Sequence, residues 1–190
     1  MSFKQFFPIP LFIAVQAVTL VLLDLQPNPV IPHLWTWISF QAWAMYFLAG
    51  CTLKGGAKVF LGYLGGALAS AAIMKLIGLI GQWAPQLAGT PALAIAVFVV
   101  VVGVISAERV PMFNFVPAWF IGAGVFFGVM ALAQKMTPDE KEKVTFLSTG
   151  THLMVSCAVG LVYGVVTVLI RGKYEAWLKA RSAQAVIADK

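Results

Sequence analysis

Apolar runs long enough to cross a bilayer recur six times in this chain, near residues 9–26, 34–53, 58–80, 91–107, 115–134 and 147–170. A spanning helix needs about 20 mostly apolar residues, so these runs leave little chain for a soluble domain. Composition points the same way. With 61% hydrophobic and 11% charged residues, a water-soluble fold would expose more apolar surface than such folds tolerate, whereas lipid accepts it. A transmembrane β-barrel needs short segments of alternating polarity, and the unbroken apolar run from Ala94 to Val102 is its opposite. The expected fold is all-α, a polytopic membrane bundle of six helices. The first run follows Pro8 and Pro10, has Lys4 as its one N-terminal charge and lacks a small-residue cleavage site, so it is expected to stay as the first span.

The net charge of +6 carries orientation. With both termini cytoplasmic, that side holds Lys4, Lys54, Lys58, Arg109, Arg171, Lys173, Lys179, Arg181 and Lys190. The opposite side holds Lys135, Lys141 and Lys143, offset by Asp139, Glu140 and Glu142. This asymmetry obeys the positive-inside rule. The basic residues flank membrane segments and form no stripe with interleaved aromatics, which argues against nucleic acid as a partner. Residues 1–171 are expected to form the bundle. Residues 172–190, with Tyr174 and Trp177 among Lys173, Lys179 and Arg181, read as an amphipathic cytoplasmic helix at the headgroups. Cys51 and Cys157 fall in or beside spans and read as small packing residues.

A weak internal repeat gives the chain more shape. Phe40, Ala44, Tyr46 and Phe47 of the second span recur eighty residues later as Phe120, Gly124, Phe126 and Phe127. Each set is followed by a charged loop and a span with a small-xxx-small pair, Gly62 with Gly66 and Gly160 with Gly164. Three spans per half invert the second copy, and inverted repeats place binding sites near the midplane where the halves meet. The alternative is that any two aromatic, glycine-containing spans align this well.

Phe40, Trp43, Phe47 and Gly50 share one face of the second span, which is either core or the wall of a slot for a small solute. Trp35 and Trp37 read as interface anchors. Gln16 and Gln41 lie at mid-membrane depth, where an amide must find partners, so both are expected to face the bundle interior. There they bond a neighbouring helix or contact a solute. Lys75 is the one charge well inside a span and either takes part in gating or ion coupling or snorkels to the outer interface. His152 is a candidate pH gate or a satisfied interfacial histidine. Asp24 and His33 flank the first outer loop, as a mouth to a path or as solvated groups. Gly62 and Gly66, like Gly160 and Gly164, permit close helix approach within the subunit or between copies of a homo-oligomer. The sequence has no P-loop, His-Glu-x-x-His, paired Cys-x-x-Cys or Gly-x-Ser-x-Gly, so no enzymatic chemistry, metal or cofactor is expected.

The pattern Trp37, Phe40, Trp43, Ala44, Tyr46, Phe47, Gly50 resembles a family of small bacterial inner-membrane proteins, domain of unknown function ten-ninety-seven. The segment from Val116 to Gly128 is similar to that family's second aromatic span, with its proline, glycine and Phe pair. The resemblance implies a six-span bacterial inner-membrane protein and no established activity. Ala123 stands where the first copy has Trp43, making any repeat-related slot asymmetric. In size, span number and aromatic lining the chain is also similar to the acid-activated urea and amide channels, an analogy of architecture that transfers no site. The expected function is a facilitator for a small polar or weakly charged solute, its path walled by Gln16, Gln41, Trp43, Tyr46, Phe47, Phe120 and Phe127. The competing reading is a non-transporting scaffold or accessory subunit.

Overall fold

The computed structural model describes residues 2–25 and 34–188. His33, Lys190 and most of the first outer loop lie outside them. The described elements are α1 (Phe3–Phe6), α2 (Pro8–Leu25), α3 (Thr36–Leu48), α4 (Leu53–Trp83), α5 (Thr90–Ser106), α6 (Val116–Ala133), α7 (Pro138–Lys143) and α8 (Phe146–Ala188), with short 3₁₀ turns at Pro85–Leu87 and Ala107–Arg109. Their ends follow local chemistry. Thr52 caps α4 by accepting from the Gly55 amide at 2.9 Å, and Thr145 and Ser148 cap the start of α8 reciprocally. Pro91 and Pro117 sit in the first turns of α5 and α6, where a missing amide costs nothing.

Among the described residues five helical segments are long and apolar enough to cross a membrane: Phe3–Leu25, Leu53–Trp83, Thr90–Arg109, Val116–Ala133 and Phe146–Gln184. The protein is therefore a multi-pass membrane protein. The expected second span is not among the five. Its helix, α3, has 13 residues, about 20 Å at 1.5 Å per residue against about 30 Å of hydrocarbon. Composition could not reveal this, because the apolar run continues past both ends. The helix stops where Gly50 and Cys51 take left-handed backbone angles (φ 90° and 56°), and it begins only after Trp35, whose backbone is extended. Shortness is offset by burial: Ile38, Ser39, Ala42, Trp43, Met45 and Tyr46 are all buried, whereas α5 buries only Ala92 and Ala96.

A second difference concerns the tail. Residues 172–188 are helical, but they continue α8 without a break at Gly172 and do not form a separate element.

Packing is dominated by two helix pairs, α4 with α6 and α3 with α8. In both pairs residue numbers rise together along the contact. Gly62 meets Ala118, Gly66 meets Trp119 and Ala123, and Ser70 donates to the Ala123 carbonyl. Trp35 stacks on His152, Gly160 meets Ser39 and Ala42, and Gly164 meets Tyr46. Each pair is therefore parallel, and each joins a helix from one half of the chain to a helix from the other. Helix α2 lies on α3 and α8, and α5 lies on α4. Two three-helix groups result, α2–α3–α8 and α4–α5–α6. Between them lies a continuous apolar core drawn from four helices, with Ile38 and Met45 of α3, Val59 and Tyr63 of α4, Val125 and Phe126 of α6, and Leu153 and Cys157 of α8.

Candidate functional site

The polar side chains of the interior fall into two sets, those with partners and those without. Gln16 is buried and faces α8, as an amide in hydrocarbon must. Its Oε1 accepts from the Thr167 hydroxyl at 2.8 Å, and its Nε2 donates to the Tyr163 carbonyl at 3.5 Å. The Thr19 hydroxyl donates to the Gln16 carbonyl and lies 3.1 Å from the Tyr163 hydroxyl. Sequence reasoning found Gln16 and missed its partners. The i, i+4 pair Tyr163 and Thr167 was the available signal. Ser39 and Ser156, both fully buried, were missed as well. Ser39 donates to the Ser156 carbonyl at 2.9 Å, and the Ser156 hydroxyl accepts from the Trp35 amide at 2.7 Å, fastening α3 to α8.

Among the described residues three buried side-chain polar atoms lack a hydrogen-bond partner: Gln41 Oε1, Trp43 Nε1 and Tyr63 Oη. Trp43 packs in a cluster with Leu20 and Leu34, its ring tilted against Tyr163 at 5.6 Å and stacked with Phe40 at 6.1 Å. Tyr63 has no exposed surface and belongs to the core between the two groups, together with Cys157. Helical register puts Gln41 on the side of α3 that carries Ile38 and Met45, members of that same core. Buried polar atoms usually have partners, so each orphan marks a place where a water or a small solute would be stabilised.

The remaining sequence candidates do not converge on one wall. Phe47 is 40% exposed and Phe120 60% exposed, so both face outward. Phe127 is half-buried. Tyr46 is buried and borders a cavity of about 550 Å³ shared with Gly56, Phe60, Ala158 and Leu161. A cavity of about 580 Å³ lies further along the α4–α8 contact, bordered by Leu64, Leu68, Phe126, Phe146 and Met154. Both are open on the outer surface, where Leu53 and Val162 of the first and Leu68 and Leu147 of the second are exposed. The walls of both are almost wholly apolar.

Lys75 is exposed on the outer face of α4 and lines neither cavity. His152 is half-buried, with Nδ1 2.6 Å from the Ser148 carbonyl and its ring stacked on Trp35 at 4.5 Å. Asp24 accepts from the backbone amide and the hydroxyl of Thr36, at 3.1 and 2.7 Å. It thereby caps α3 and complements the positive end of that helix. The four small-xxx-small glycines are all spent inside the subunit. A methyl group at Gly62 or Gly66 would meet α6, and one at Gly160 or Gly164 would meet α3. Gly122, which sequence reasoning passed over, makes the same close approach to the Tyr63 backbone. Among the described residues no group of three or more His, Cys, Asp or Glu side chains is placed to hold a metal ion.

A family model described as "Protein of unknown function (DUF1097)" matches residues 10–175. No curated protein and no solved structure matches the chain.

Proposed function

The chain belongs to the DUF1097 family, whose model matches residues 10–175, and from that premise we propose that it facilitates passage of a small polar or weakly charged solute across the bacterial inner membrane. The observation that carries this reading is the exchange of helices between the halves of the chain. Helix α3 is held by α8 and α6 by α4, both in parallel. An inverted repeat generates that arrangement, because it turns the second copy over and lets each half complete the other. It yields two bodies that meet across a single core, the geometry on which rocking around a midplane site depends.

The solute site is assigned to that core, at Tyr63 and Gln41. The orphaned Tyr63 hydroxyl and Gln41 carbonyl favour a neutral partner that both donates and accepts hydrogen bonds. Gln16 belongs to the α2–α8 contact and is not part of the path. Both termini are placed in the cytoplasm on the distribution of Lys and Arg. No catalytic step is assigned. Purified protein in liposomes should raise the flux of a small solute from a broad panel, and Gln41→Leu or Tyr63→Phe should lower that flux in protein that still unfolds at the wild-type temperature. Unchanged flux for every solute in the panel would refute transport.

One observation favours the second reading, a non-transporting scaffold. Ile38, Val59, Tyr63, Leu153 and Cys157 have no exposed surface, so the core is closely packed. Co-purification of a stoichiometric partner, in protein that passes no solute, would select it.

A further inference from the structure

Where α1 and α2 run against the C-terminal half of α8, two cavities follow one another along a single seam. The first, of about 180 Å³, is bordered by Ile9, Phe12, Ile13, Thr167 and Ile170, with Arg171 and Tyr174 at one end. The second, of about 420 Å³, continues past that end among Gln5, Glu175, Leu178, Lys179 and Ser182. The wall is apolar along most of the first cavity, and at the second it carries the charged and amide side chains of Glu175, Lys179 and Gln5. Tyr174 marks the change: its hydroxyl donates to the Gln5 carbonyl at 2.8 Å, and its ring stacks with Trp177 at 6.0 Å. Aromatic rings of this kind settle at headgroup depth.

Charge at this end is one-sided. Lys4, Arg171, Lys173, Lys179 and Arg181 are all exposed there, and the acid among them, Glu175, is held by Arg171 at 2.8 Å. That contact uses the Arg171 Nε alone and leaves the two terminal nitrogens of a five-donor group for another acceptor.

We propose that this seam binds one anionic phospholipid, its phosphate between Arg171 and Lys179 and the start of an acyl chain along Ile13 and Ile170. The ordered change from apolar to polar wall selects an amphiphile over a soluble anion, and the surplus of cations selects a negative headgroup over a zwitterionic one. The assignment is independent of solute passage, since it uses neither the central core nor its cavities.

Native mass spectrometry of the full chain in detergent tests it, with phosphatidylglycerol, phosphatidylcholine and sn-glycerol 3-phosphate as probes. Wild-type protein should retain phosphatidylglycerol at least tenfold better than phosphatidylcholine. With each cation near an anionic headgroup contributing about fivefold, Arg171→Gln with Lys179→Gln should remove about 25-fold of phosphatidylglycerol binding. Ile170→Trp, which fills the apolar section from an exposed position, should weaken both lipids. Equal retention of the two lipids would overturn the proposal, as would a double variant that binds like wild type. Glycerol phosphate binding as tightly as the lipid, undisturbed by Ile170→Trp, would replace it with a site for a free anion.

Discussion

Replacing Gly160 by alanine is the sharpest test of the packing. A methyl group there would fall on the Ser39 carbonyl oxygen and stand 2.9 Å from the Ala42 Cβ. Both belong to the helix that α8 holds most extensively. The obstacle is backbone and not a flexible side-chain tip, so α3 must move outward by about 1.5 Å to restore ordinary contact distances of 3.5–4 Å. Overpacking of this kind costs about 1–3 kcal/mol. The displacement also stretches the Ser39–Ser156 and Trp35–Ser156 hydrogen bonds, each contributing about 1 kcal/mol within a membrane. The expected loss is about 2–4 kcal/mol.

Gly150 supplies the control, since it lies in the same helix and a methyl there meets nothing within 4 Å. Gly150→Ala should leave stability unchanged or raise it by up to about 1 kcal/mol through helix propensity. Reversible unfolding in mixed micelles, followed by tryptophan fluorescence, measures both. If Gly160→Ala unfolds at the same denaturant concentration as Gly150→Ala, the close parallel contact of α3 with α8 is wrong. Gly62→Ala, which meets Ala118 on the other pair, should reproduce the Gly160 loss.

Four further outcomes are expected. Thr167→Val strips the hydroxyl from Gln16 Oε1 and should cost about 1–2 kcal/mol, because a buried carbonyl loses its donor; Gln16→Leu added to it should recover most of that loss in the same unfolding assay. Tyr63→Phe removes a hydroxyl that has no partner and should leave stability within about 1 kcal/mol of wild type or raise it, so a loss above 2 kcal/mol would show that the hydroxyl is bonded. Asp24→Ala deprives α3 of its cap and should destabilise by about 0.5–2 kcal/mol, with Asp24→Asn retaining part of the difference. Lys75→Leu, on the outer face, should change neither unfolding nor flux, and a flux defect would restore Lys75 as a gating or ion-coupling residue.

The sequence was informative where a rule of the bilayer acts residue by residue. Apolar length identified the crossing helices, and the inward turn of Gln16 followed from the cost of an amide among acyl chains. Small-xxx-small spacing identified Gly62, Gly66, Gly160 and Gly164 as contact points but not their partners, since spacing carries no information about which helix arrives. Both pairs turned out to be satisfied inside the subunit. The length of α3 was hidden because Gly50 and Cys51 end it through backbone angles that hydropathy does not register. The aromatic face did not form a wall, because Phe47 and Phe120 satisfy the same apolar criterion by facing outward as Trp43 does by facing in. In lipid the two choices have nearly equal cost, which removes the signal available in a water-soluble protein.

The unbroken course of α8 has a mechanical consequence. At 43 residues and a rise of about 1.5 Å per residue, it is a rod of about 65 Å, roughly twice the hydrocarbon thickness. Gly160 and Gly164, where the rod is clasped most closely, lie in its first half, so the arm running on to Ala188 is much the longer of the two. A load on the Tyr174 and Trp177 section of that arm therefore acts at a distance from the clasp, with the greater leverage on the α3 contact.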